Sequence, residues 1–244
     1  MFWWRNEVRP GVSVAFTDTG AGNLALHVGD NPVDVMERRV HLSRVLLSGA
    51  AGLGAEQFQY MDQVHGNTVE FIQAHGPGPT ADAMVSVASS AGPRVAPQPL
   101  AVMVADCVPV VLVGNDTNND AVIAVAHAGR PGVVSAVVPA TVEAMRSRGA
   151  VDIHAWLGPS ICGSCYEVPE QLRADVAAQV PATWSTTSWE TPALDLPAGV
   201  RSQLEALDVT VEYSGECTLE NDSLFSYRRN SRTGRFAGLV WTHD

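Results

Sequence analysis

Apolar positions in this chain recur every second residue in some stretches and about every 3.6 residues in others, and the two kinds of stretch interleave from end to end. Val12–Thr17 reads as a first strand. Residues 31–47 carry the helical period: Asn31 suits an N-cap, Pro32 the first turn, and Val35, Met36, Val40 and Leu46 fall roughly on one face. Residues 58–64 alternate apolar and polar and run into His65. Gly66 and Asn67 then turn the chain and 68–73 resumes as a strand, which predicts a hairpin with the histidine at its tip. Residues 82–87 give another strand, followed by a polar loop bearing Pro and Gly. Leu100–Val104 and 109–113 are β-rich runs on either side of Asp106 and Cys107, and 114–120 (GNDTNND) is turn chemistry throughout. The uninterrupted apolar run 121–126 delivers His127. Residues 133–148 form the clearest helical pattern, with Val134, Val137, Val138, Ala140, Val142 and Met145 as its stripe and Gly149 as its stop. Val151–Leu157 predicts a strand, and 169–180 and 197–207 predict helices, the second with Asp195 near its start. Residues 181–191 read as an exposed connection, and 209–213 and 236–241 as strands that close the sheet.

No repeat, low-complexity stretch or clean boundary interrupts this pattern, so one mixed α/β domain spanning 1–244 is expected. At 244 residues and 46% hydrophobic content the chain can bury a sizeable core. A formal charge of -11 argues against nucleic acid as a bulk partner, because phosphate binding needs clustered cations. No apolar run is long enough to span a bilayer, and the N-terminus MFWWRNEVRP lacks the extended apolar stretch of a secretory signal, so a cytoplasmic protein is expected. Four cysteines (Cys107, Cys162, Cys165, Cys217) are too few for a disulfide framework at this size and fit a reducing compartment. Neither a heptad nor a clear amphipathic patch points to self-association, which leaves a monomer as the default.

Candidate chemistry concentrates in QVHGN (63–67), ADCVP (105–109) and AHAGR (126–130), each of which sets a reactive side chain beside an abrupt turn. His65, Cys107 and His127 thus stand at strand ends, where residues that act on ligands tend to sit. One thiolate and two imidazoles make an open zinc shell with a fourth position free. A buried cysteine is ordinarily a small hydrophobe, but a thiol beside imidazoles or a metal has a lowered pKa and serves as nucleophile or ligand. His27, His41, His75, His154 and His243 lack that context and read as structural. The C-x-x-C of Cys162 and Cys165 could be half a zinc site or a redox pair; with Cys217 the only other cysteine available, such a site is short of ligands, and structural thiols are the expectation. Arg228, Arg229, Arg232 and Arg235 form the main basic cluster, which suits either a solvated loop or recognition of phosphate or carboxylate.

Together these segments resemble the laccase-domain or polyphenol-oxidase-like (YfiH-like) family, described as zinc-dependent purine nucleoside phosphorylases and as peptidoglycan editing factors. The resemblance runs over nearly the whole chain: NLALHVGDNP, QVHG, TADAMVS, ADCVP, HAG with a following Gly, GPSICGSCYEV and CTLENDSLFSYRRNSRTGR, in the family's order. It implies an α+β fold in which mixed sheets pack as a sandwich flanked by helices, in αββα layers. It also implies that His65, Cys107 and His127 are the metal ligands and active-site triad. Two departures stand out. The family continues HAG with Trp-Arg-Gly, where this chain has Arg130-Pro131-Gly132, and it carries an arginine before Gly-Gly near the first strand, where this chain reads TDTGAGN (17–23).

The leading expectation is a zinc enzyme acting on purine nucleosides, by phosphorolysis at the ribose C1′ or by deamination at C6 of adenosine. Arg130, Arg228 or Arg229 would supply the anion site, and Asp106 would serve as support or proton carrier. The alternative is a cysteine amidase on peptidoglycan precursors, with Cys107 activated by His65 or His127. A copper polyphenol oxidase ranks lower, since only seven histidines exist and five lack a suitable context. A non-enzymatic metal-binding module completes the set.

Overall fold

The computed structural model describes residues 1–47, 57–88 and 95–243. Its strands, in chain order, are β1 (Phe2–Arg9), β2 (Val12–Thr17), β3 (Val69–Phe71), β4 (Ala83–Val87), β5 (Leu100–Val104) and β6 (Val108–Asn115). β7 (Ala121–Ala128), β8 (Val151–Leu157), β9 (Trp184–Thr186), β10 (Pro192–Leu194), β11 (Thr210–Tyr213) and β12 (Phe236–Thr242) follow. The helices are α1 (Pro32–Leu47), α2 (Arg130–Val134), α3 (Val137–Arg146), α4 (Glu170–Gln179) and α5 (Leu196–Glu205).

An antiparallel sheet in the order β1-β2-β12-β5 faces a mixed sheet in the order β11-β8-β6-β7-β4-β3. Alternation along each strand sorts its residues between layers. Val14, Phe16, Val102 and Val240 of the first sheet meet Met84, Val111, Ile123, Val125 and Trp156 of the second. On the outer face of the second sheet, Val110, Leu112, Ala124 and Ala126 pack under Val138, Val142, Met145, Val200 and Leu204 of the helices. On the outer face of the first sheet, Ala15, Ala101, Leu239 and Trp241 pack under Leu42, Leu46 and Leu47 of α1. These are four layers, αββα. Because β6 and β7 are covered on both faces they read as unbroken apolar runs rather than alternating ones, and each fully buried Val or Leu there contributes roughly 1.5–3 kcal/mol.

Several sequence expectations need correction. Residues 58–64 and 68–73 do not form a hairpin: Gln59 bridges to Leu100, Asp62 bridges to Thr80, and β3 pairs in parallel with β4. The segment passes from one sheet to the other instead of folding back. The helix expected over 133–148 breaks at Ala136 (φ 62°), because Asn67 Nδ2 donates to the Ser135 carbonyl (2.7 Å) that a continuous helix would use internally. In α1, Met36 and Val40 are exposed, and Val35, Leu42, Leu46 and Leu47 are buried. Arg39 lies in that inner stripe, with its guanidinium over the Tyr60 ring and its Nε donating to the Leu24 carbonyl (2.8 Å). A charge inside the buried stripe disguised the phase of the helix. β11 and β12 end in different sheets, 181–191 contains a 3-10 turn and β9, and β1 lacks the alternation that would have announced it. The polar loop expected after residue 87 falls partly outside the described residues.

Candidate active site

Two of the links between the sheets at one end of the sandwich each carry a reactive side chain. Between β5 and β6 the link is only Ala105-Asp106-Cys107. Asp106 takes φ 89°, a left-handed conformation that costs a non-glycine residue about 1–3 kcal/mol. Three contacts hold it: its carboxylate accepts from Thr218 Oγ1 (2.6 Å) and from the Arg228 backbone N–H (2.6 Å), and its carbonyl accepts from the Ile161 N–H (2.9 Å). Both carboxylate oxygens are thereby engaged, so Asp106 fixes the turn that presents Cys107 and is not placed as a proton carrier.

The second crossing carries His65, also left-handed (φ 61°). Asp82, completely buried, organises it by accepting from the backbone N–H of His65 (2.9 Å) and Gly66 (2.6 Å) and from His127 Nδ1 (2.8 Å). The β4–β7 register explains the last contact. Ala83 pairs with Ala126, so the next rung sets Asp82 opposite His127, whose backbone N–H donates to the Asp82 carbonyl (2.7 Å). His127 lies just inside the end of β7 and is buried.

These crossings converge. His65 Nε2 is 3.8 Å from Cys107 Sγ, and the two imidazole rings meet edge to face with centroids 4.6 Å apart. One ligand atom from each of His65, Cys107 and His127 lies within 4.8 Å of the others, a donor set that fits a metal ion. Asp82 occupies Nδ1 of His127 and so fixes which ring nitrogen faces the thiol. Burial opposes ionisation of Cys107, but the charge and hydrogen bond of His127 and the contact with His65 outweigh it and lower the thiol to about 6. Burial likewise opposes a charged His127, yet Cys107 and Asp82 outweigh it and raise the imidazole to about 9. Without metal the pair is therefore a thiolate and an imidazolium near neutral pH. Gly129 leaves the space they need: a Cβ there would stand 2.7 Å from His65 Cδ2 and 3.1 Å from Cys107 Sγ.

The triad forms one wall of a cavity of about 590 Å³. Arg130, first residue of α2, reaches that cavity despite the altered HAG-Arg-Pro-Gly spelling, and Arg228 and Arg235 line it too. Arg228 lies over the Tyr166 ring, 5.0 Å from its centroid, and donates to the Glu167 carbonyl (2.9 Å). Arg229 goes elsewhere: its guanidinium donates to the carbonyls of Thr218 (2.8 Å), Leu219 (3.1 Å), Asn221 (3.2 Å) and Leu224, folding its own loop instead of facing an anion. Sequence reasoning missed His27, Gln63, Tyr166 and Tyr227 on the cavity wall and Asp82 behind the triad, whereas Arg235 lies in the basic cluster it singled out. His27 lacks a neighbouring turn signal in the sequence, although it lies within NLALHVGDNP. Asp82 was readable as a polar residue at the head of an otherwise apolar strand.

A left-handed turn at each of two sheet crossings, converging on a thiol and two imidazoles beside an arginine-lined cavity, defines a sandwich protein with an open Cys/His centre. The chain belongs to the family described as multi-copper polyphenol oxidoreductase laccase, which matches residues 6–243. It is 44% identical to a purine nucleoside phosphorylase of Streptomyces griseus over 243 residues, covering 93% of each chain, and 43% identical to one of Streptomyces coelicolor, covering 95% and 96%. A crystal structure of a Neisseria meningitidis protein superposes with a TM-score of 0.78 at 31% identity, covering 100% of this chain and 99% of the other. Among the described residues no helix is long and apolar enough to cross a membrane.

Proposed function

We propose that this protein is a zinc-dependent purine nucleoside phosphorylase, with His65, Cys107 and His127 holding the metal and Arg130 and Arg228 binding phosphate. One observation carries the reading: a single cavity of about 590 Å³ has the Cys/His triad on one wall and three arginine side chains around it. The relatives named as purine nucleoside phosphorylases support the substrate class. When bound, zinc would supply Lewis-acid polarisation beside the reacting atoms. In the reaction a phosphate oxygen bonds to the ribose C1′ as the C1′–N9 bond breaks. The purine departs with the electron pair and takes up a proton, leaving ribose 1-phosphate.

The chain's own residues would do the positioning. The guanidinium groups of Arg130 and Arg228 match phosphate with paired donors, and Arg235 adds a third positive charge on the same wall. Tyr227, 54% exposed where it lines the cavity, offers a ring face on which a purine can stack. Asp82 orients His127 and the His65 turn, and Asp106 holds Cys107 forward. Deamination of adenosine, in which water replaces the amino group at C6, is proposed as a second activity of the same centre, because three protein ligands leave one coordination position open.

Chromatography of adenosine incubated with the zinc-replete protein, with and without phosphate, tests this. Adenine and ribose 1-phosphate should form only with phosphate, and inosine should form without it; no conversion of any purine nucleoside would refute the assignment. The lowered thiol of Cys107 also favours the amidase reading, in which it attacks an amide of a peptidoglycan precursor. Chelation would spare that activity and alkylation would abolish it. A multicopper oxidase needs several histidine clusters, whereas among the described residues only one candidate ligand group contains histidine.

A further inference from the structure

A second group of metal-grade side chains lies behind the cavity wall, outside the triad. Cys162, Cys165, Cys217 and Glu220 each offer one ligand atom, and all four atoms lie within 4.8 Å of one another. Two facing turns build the group. In the first, the N–H groups of Cys165 (3.1 Å) and Tyr166 (3.0 Å) donate to the Cys162 carbonyl, which brings the first and fourth residues of C-x-x-C to one side. In the second, the N–H groups of Glu220 (3.2 Å) and Asn221 (3.1 Å) donate to the Cys217 carbonyl, doing the same for C-x-x-E. A bridge between Ser160 and Cys217 aligns the turns, and the Cys162 N–H points at Cys217 Sγ (3.5 Å). The sequence suggested a set short of ligands; the fold completes it with Glu220.

We propose that these four residues form a second, structural metal site for a thiophilic divalent cation of the zinc class. Paired ligands two residues apart on opposed turns are the arrangement that closed tetrahedral zinc sites use. Tetrahedral zinc with Zn–S bonds of about 2.3 Å sets its sulfurs about 3.8 Å apart, and the four ligand atoms here lie within 4.8 Å of one another. Three thiols exceed what one disulfide can use, and all three are free. Cys165 and Cys217 are buried, Cys162 is half-buried, and Glu220 stands at the open side, so the site has a route for loading and one exchangeable ligand. Binding would release thiol protons to solvent as the sulfurs become thiolate ligands.

The placement gives the metal a purpose. Ile161, next to Cys162, donates its N–H to the Asp106 carbonyl, and Thr218, next to Cys217, donates its hydroxyl to the Asp106 carboxylate. Tyr166, next to Cys165, lies beneath Arg228. A metal joining the two turns would clamp together the contacts that keep Asp106 left-handed and Cys107 forward. This inference stands independently of the proposed reaction.

Zinc stoichiometry of the full chain, purified under reducing conditions and desalted after exposure to zinc alone, tests it. Wild type should hold two equivalents. Cys107→Ala, which leaves the four-residue group intact, should hold one, and its cobalt-loaded form should show an intense near-ultraviolet thiolate-to-metal band. Adding Cys162→Ser should remove both the remaining equivalent and the band. A folded Cys107→Ala protein that retains no zinc would overturn the proposal. So would an intact mass showing a disulfide among Cys162, Cys165 and Cys217 in the metal-treated, reduced preparation.

Discussion

The triad and the three-thiol group are neighbours joined through Asp106, yet they drive cysteine in opposite directions. At the triad a thiol faces two imidazoles, one of them pinned by a buried carboxylate, and Cys107 becomes a strong acid for its type. In the other group burial pushes Cys162 and Cys165 up and Cys217 pushes both further, while the hydrogen bond between Cys162 and Cys165 raises Cys165 and holds Cys162 back. The first arrangement is reactive without metal and leaves an open position; the second ionises readily only when a cation enters. Burial is common to both groups, so the neighbours decide the chemistry.

The sharpest way to break this contrast is Cys107→Ala, which should lower phosphorolysis by at least about 10³-fold while leaving the three-thiol group its metal. Turnover within tenfold of wild type would detach the triad from catalysis. Asp82→Asn comes next. Loss of the charge behind His127 should lower turnover or metal affinity by roughly 10–100-fold, measured by steady-state kinetics and chelator competition.

The same electrostatics predict a pH signature in metal-free protein. Alkylation of Cys107 should reach half its maximal rate near pH 6, where a free thiol would need about 8.5. His127→Gln should move that midpoint upward. Stability linked to Cys107 is lost as pH falls through about 6, and stability linked to His127 is lost as pH rises through about 9. Between those values the two changes oppose each other, because the unfolded chain holds its one proton on the thiol and the folded chain holds it on the imidazole, so thermal melts of the metal-free protein should stay nearly level from about pH 6.5 to about 8.5.

Smaller effects refine the picture. Gly129→Ala should cost roughly 1–3 kcal/mol, because the new methyl displaces His65 or Cys107, and that cost should shrink when His65 is already alanine. Arg229→Ala should cost about 1 kcal/mol of stability by denaturant titration with little change in the phosphate KM, in contrast to Arg228→Ala. An Arg229 variant with selectively weakened phosphate binding would return that residue to the anion site.

Much of the layer architecture was legible because β6, β7, α5 and most of α3 obey local rules: unbroken apolar runs for doubly covered strands, an Asp195 cap, an apolar stripe at the helical period. The three triad residues were legible from abrupt turns in otherwise apolar sequence. What escaped was set by partners distant in sequence. The break at Ala136 depends on Asn67, the passage of 58–64 between sheets depends on Leu100 and Thr80, and the phase of α1 was hidden by an arginine satisfied by Tyr60 and Leu24. Arg229 and Arg228 are adjacent and chemically identical in sequence; only the loop carbonyls around them separate a structural cation from one facing the cavity.

The Asp82 carboxylate serves both histidine-bearing elements at once, and this shapes how the centre can change over time. Once Asp82 is replaced, His65 and His127 both lose part of their orientation, so part of what each histidine contributes is already gone. Changes at Asp82 and His127 should thus combine to less than the sum of their separate costs. Inheritance would couple the two histidines: a single substitution at a residue that need never touch substrate weakens the constraint on both of them together.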